Sequence, residues 1–194
     1  RRYWLYYVLV FMSGARRQIF VVFAGFLMVE KFGFGVSDIA LLFLVNASIN
    51  VLFAARIGRF IALVGERRAL IIEYGGLTLI FLGYALVDRA DIAAGLYILD
   101  HLFFAMAIAL KTYFQKIAAP KDIAATAGVS FSINHIAAVF IPAAFGLIWL
   151  HSPALVFQYG AAMAVLSLML SFFVPEAPEQ GRETTFSIKA DARA

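Results

Sequence analysis

Leu155-Val156-Phe157-Gln158-Tyr159-Gly160-Ala161-Ala162-Met163-Ala164-Val165-Leu166-Ser167-Leu168-Met169-Leu170-Ser171-Phe172-Phe173-Val174 contains no charged residue. A helix needs about 20 mostly apolar residues to cross a hydrocarbon core of roughly 30 Å, and this stretch supplies them. The run from Ile71 to Val87 is of the same kind, with Glu73 as its charge. Strands of a membrane barrel would alternate apolar and polar residues over segments of about ten, and neither run does so. These stretches predict an all-α integral membrane bundle.

The rest of the chain agrees. Of 194 residues, 63% are hydrophobic and 14% charged, with a mean hydropathy of +0.89. This composition excludes a disordered segment and an ordinary water-soluble domain. Six spans are expected, over about 3–29, 39–55, 69–87, 92–114, 123–150 and 154–174, with 175–194 as a disordered cytoplasmic tail rich in Pro, Glu, Gly, Arg and Thr. The chain opens on Arg1 and Arg2, and its first apolar run is too long and too polar for a cleaved signal peptide, so it is expected to be a piece of something longer or a processed chain. No cysteine is present, which removes disulfides, thiolate nucleophiles and cysteine-bound metals.

Charge gives the expected orientation. Arg1, Arg2, Arg56, Arg59, Arg67, Arg68, Lys116 and Lys121 fall on one side of the bundle, and Lys31 and Arg89 on the other. Lys and Arg accumulate in short cytoplasmic loops, so both termini are expected inside. The net charge of +4 then reports topology, and no nucleic-acid partner is implied.

Polar residues inside the spans are the informative ones, because a charge at the bilayer centre costs about 2.5–3.5 kcal/mol or more unless it finds a partner or water. Arg16, Arg17 and Gln18 lie in the first span. At ~100° per residue Arg17 shares a face with Tyr6, Ser13 and Ala24, and Arg16 with Met12, Phe20, Phe23 and Leu27. Arg17 is therefore expected to face a polar interior and Arg16 packed helices. In the fourth span Asp100 shares a face with Phe104, Ala107 and Lys111, and is read as a proton carrier or as the counter-ion of an arginine such as Arg17. His101 beside it is a second candidate for proton coupling, or an interhelical hydrogen-bonder. Asn46 and Asn50 in the second span, and Thr126, Ser130, Asn134 and His135 in the fifth, form polar stripes that serve as helix glue or as a cavity wall. Spans one, two, four and five carry these groups, whereas Glu73 and Gln158 are expected to reach an interface from spans three and six. Four helices should line a cavity and two should be peripheral.

Between the second and third spans, Gly58-Arg59-Phe60-Ile61-Ala62-Leu63-Val64-Gly65-Glu66-Arg67-Arg68-Ala69-Leu70 resembles the loop signature of the major facilitator superfamily. Gly58, Gly65, Arg67 and Leu70 match it, while Ala62, Leu63 and Glu66 depart from it. The stretch from Gly128 through Pro142 to Gly146 resembles that family's eleventh helix. The resemblance implies the C-terminal six-helix half of a twelve-helix secondary transporter, with spans one and four lining the cavity and three and six facing lipid. It further implies a missing N-terminal half as partner, a gating loop at Gly58, Gly65, Arg67 and Arg68, and symport or antiport of a small-molecule substrate in a lipid bilayer. A prokaryotic cytoplasmic membrane is then the expected location, no cofactor is implied, and substrate binds near the midplane with alternating access.

Two other classes compete with this reading. An intramembrane enzyme would want Gly-x-Ser-Gly or Gly-x-Gly-Asp, and Gly128-Val129-Ser130-Phe131 and Gly33-Phe34-Gly35-Val36 fail both. A metal site from Asp100, His101 and His135 is opposed by the ~100° divergence of the first two, and no Gly-x-x-x-x-Gly-Lys is present for ATP. A structural subunit, whose buried charges dock a partner, is the alternative to a transporter.

Overall fold

A computed structural model describes residues 2–187 of the chain. It contains six helices long and apolar enough to cross a membrane: α1 (Trp4–Phe32), α2 (Val36–Val64), α3 (Glu66–Leu86), α4 (Ala90–Ile117), α5 (Pro120–Trp149) and α6 (Pro153–Ser171). The connections are short because local chemistry ends each helix abruptly. Gly33, at φ 68°, closes α1 as a left-handed C-cap, with Gly33 N–H donating to Val29 O and Phe34 N–H to Met28 O. The Asp38 carboxylate accepts from Gly35 N–H at 2.8 Å and caps α2. Pro120 and Pro153 open α5 and α6 at positions where a missing N–H costs nothing.

The second helix differs from expectation. It continues through Arg56, Gly58 and Arg59 to Val64, because nothing in 56–64 breaks a helix once its ends are tied down. The break is Gly65 alone: at φ 84° its N–H donates the last hydrogen bond of α2 to Ile61 O, and its carbonyl accepts from Ala69 N–H. The expected gating loop is therefore two helix ends and one glycine. Gly58 lies inside α2, while Arg67 and Arg68 occupy the first turn of α3.

Every extensive helix pairing survives the exchange of α1–α3 for α4–α6. The α1–α5 pairing maps onto α4–α2, α1–α6 onto α4–α3 and α2–α3 onto α5–α6, while α1–α4 and α3–α6 map onto themselves. Interhelical contacts give the directions. Tyr3 donates to Asp122 and Tyr7 to Thr126, with Glu30 accepting from Trp149 at the far end, so α1 and α5 run parallel. Phe20 packs on Tyr97 and Phe104, and Tyr6 stacks on Phe114, so α1 and α4 run antiparallel. The chain is thus a pair of three-helix units of opposite orientation.

Each unit's first helix carries an irregularity at the same distance from its start. In α1 a π-helical segment, Ile19–Ala24, begins as far from Trp4 as the 3₁₀ turn Ala105–Ala107 of α4 begins from Ala90. Such departures leave backbone groups less regularly paired and are frequent at functional sites.

The core has two apolar layers. One gathers Ile19 to Met28, Leu77 to Tyr84, Tyr97, Trp149 and Phe157; the other gathers Tyr3 to Val10, Ala69, Leu70, Tyr113 and Ile117. The most extensive pairing, α3 with α6, depends on Gly160, where a Cβ would stand 3.0 Å from the buried ring of Phe81.

Residues 175–187, expected to be disordered from composition, fold back on the bundle. Arg67 lies 3.7 Å from Glu176, Gln180 donates to Ala118 O at 3.0 Å, and Thr185 N–H donates to Phe173 O at 2.9 Å. Glu183 pairs with Arg2 at 2.6 Å, and its carbonyl accepts from the Tyr113 hydroxyl. Burial opposes the charge on Glu183, but hydrogen bonds from Arg2 and backbone N–H groups hold its carboxyl below the usual glutamate range. The remainder of the expected tail, 188–194, and Arg1 lie outside the described residues.

Candidate functional site

A cavity of about 640 Å³ opens between the two units. Its wall is built from α1 (Tyr6, Val10, Ser13, Gly14, Arg17, Phe20, Val21), α2 (Phe43, Asn50), α4 (His101 to Lys111) and α5 (Ser130, Asn134), with nothing from α3 or α6. Both helix irregularities border it, through Val21 and through Ala105 and Ala107.

The charges in this wall have one sign. Arg17 and Lys111 are exposed into it and neither forms an ion pair among the described residues. His101 stands close enough to Arg17 to feel its charge, and among the described residues no Asp or Glu contributes to the lining. Arg17 sits midway along α1 and Lys111 six residues before the end of α4 at Ile117; a cation left without a counter-charge in an apolar helix needs water or an anion.

Arg16, next to Arg17, turns away from the cavity and is wholly buried. Its guanidinium lies 4.4 Å from the centroid of the Tyr74 ring, and its charge acts on both Glu73 of α3 and Asp100 of α4, which are also wholly buried. Among the described residues no hydrogen bond satisfies the guanidinium nitrogens or the four carboxyl oxygens. One cation therefore serves two carboxyls in a low-dielectric layer, where leaving any of the three uncompensated is costly.

The expected face assignments hold for Arg17 and Arg16, but the expected pairing does not. The arginine facing Asp100 is Arg16, because Arg17 points into the cavity. Glu73, expected near an interface, is buried instead: α3 begins at Glu66, which carries Glu73 a further turn inward.

The other candidates separate in the same way. His101, Asn50, Ser130 and Asn134 line the cavity. Ser130 also donates to the Tyr6 hydroxyl at 3.2 Å, and Thr126 is buried against Tyr7, so the α5 stripe is helix glue and cavity wall at once. Asn46 is buried behind the wall with its amide unpartnered. Gln18 is half-buried and outside the lining. His135 is exposed outside the lining, held by Phe131, whose carbonyl is 3.0 Å from its Nδ1 and whose tilted ring has its centroid at 3.9 Å. Away from the cavity, Gly65, Arg67 and Arg68 form a recess with Glu176, and Glu66 is buried in an ion pair with Lys116 at 2.6 Å.

Sequence reasoning missed Lys111 as a site residue, although its spacing from Phe104 and Ala107 had placed it on a shared face. Glu73 escapes a sequence reading because hydropathy starts the third span at 69, whereas α3 begins at Glu66. No family model matches the chain, and neither does any curated protein or solved structure.

Proposed function

We propose that this chain is the six-helix C-terminal half of a secondary transporter of the major facilitator type, set in a membrane with both termini cytoplasmic, and that its cavity takes a small anionic solute. The observation that carries the reading is the cavity itself. It lies between inverted three-helix units, at the irregular points of α1 and α4, and presents Arg17, Lys111 and His101 with no acidic residue. Inverted units with interrupted helices at corresponding positions are how many carriers place a site at the midplane and expose it to each side by rocking. The faces of α2 and α5 support a second half, since both helices are largely uncovered in this chain.

Behind the wall, Arg16, Glu73 and Asp100 are the proposed coupling groups. With one guanidinium for two carboxyls, charge balance leaves one carboxyl to hold a proton, and an anion arriving at the neighbouring Arg17 would alter that balance. His101, within reach of Arg17's charge, would pass the proton to the cavity. The reading gives the chain a carrier's role rather than a catalyst's.

The test is uptake of labelled inorganic and organic anions, against labelled amines, into liposomes containing the intact protein. Anion uptake above that of empty liposomes is expected, falling at least tenfold in Arg17→Gln while assembly is unchanged. Uptake of amines alone contradicts the reading. Loss of assembly in Arg17→Gln would favour a structural subunit instead.

A further inference from the structure

Arg17 and Lys111 do not sit side by side, and their separation has a consequence for the solute. Phe20 lies against Tyr97, His101 and Phe104, and Tyr6 against Phe114, which fixes the antiparallel register of α1 on α4. In that register Arg17 is level with Phe103 or Phe104, and Lys111 is level with Leu9 or Val10. The backbone positions that carry the two cations are therefore about seven or eight residues apart along the cavity, roughly 11 Å at ~1.5 Å per residue. On the α4 side the wall between them is apolar, formed by Phe104, Ala107 and Ile108, while Ser13, Gly14 and Asn134 line the side of α1 and α5. Gly14 lets α5 come close to α1 at this level, since a Cβ there would meet Asn134 Oδ1 at 2.6 Å.

We infer that the solute is an elongated organic anion with a negative group at each end and an apolar middle, one end held by Arg17 and the other by Lys111. The inference rests on the reading of the cavity as an anion site and adds the shape of the anion. A compact anion such as phosphate would engage one cation and leave the other unpaired. A fatty acid would fill the apolar strip and satisfy one cation only. A linear dicarboxylate neutralises both and buries its methylenes between them.

The experiment measures binding of suberate, succinate, octanoate and octylamine to the full-length protein in lipid nanodiscs by calorimetry, with empty nanodiscs subtracted. Suberate is expected to bind at least tenfold tighter than succinate or octanoate. In Lys111→Gln the preference for suberate over octanoate should fall to about one, and in Arg17→Gln suberate binding should weaken at least tenfold. If octanoate binds wild type as tightly as suberate, or succinate does, the two-ended solute is overturned while the anion cavity stands. If octylamine binds best, or none of the anions binds, both are overturned.

Discussion

At the scale of single residues, neighbours in sequence do different work. Arg16 and Arg17 diverge by ~100° around α1, and one helix therefore serves both a buried charge layer and an open cavity. Removing Arg16 leaves Glu73 and Asp100 buried with no cation, and Arg16→Met is expected to cost about 3–5 kcal/mol of stability. Combining it with Glu73→Gln and Asp100→Asn should restore most of the loss, because the layer is then uncharged. Thermal unfolding in detergent reads both effects, and an unaffected single variant would contradict the burial of the layer. The facing of both arginines was legible from helical period alone. Which carboxyl meets which arginine was not, because that depends on how α3 and α4 are placed against α1, and period carries no information between helices.

At the scale of the element, the spans were legible from hydropathy and their ends were not. α2 runs past Gly58 to Val64 because termination there depends on Gly65 adopting positive φ rather than on composition. The π segment of α1 and the 3₁₀ turn of α4 left no mark in the sequence, since neither contains proline. Packing between elements turns on particular glycines. Gly160 lets α6 approach α3 until a Cβ would stand 3.0 to 3.3 Å from three atoms of the Phe81 ring, which is fully buried and has no room to turn. Gly160→Val is expected to overpack this contact and destabilise the protein by about 1–3 kcal/mol. Gly75→Ala, with nothing within 4 Å of the new Cβ, is the control and should change the unfolding midpoint little. Equal effects of the two would contradict the α3–α6 packing.

At the scale of the whole molecule, the distribution of polar residues separated α1, α2, α4 and α5 from α3 and α6, and those four are the helices that line the cavity. The inverted relation between α1–α3 and α4–α6 was not readable, because the two units share a pattern of contacts and irregularities rather than of residues. Nor was the return of 175–187 onto the bundle, which depends on single contacts from Arg2, Arg67 and Tyr113. The central proposal is that the cavity is open to each side of a membrane in turn. The chain has no cysteine of its own, so Asn50→Cys and Asn134→Cys each place one thiol in the cavity wall. The measurement is the reaction of each thiol, in the intact protein in liposomes, with a membrane-impermeant maleimide added first to one side and then to the other. Reaction from both sides, slowed by suberate, is the expected result. Reaction from one side only, at a rate no anion changes, would contradict the transporter.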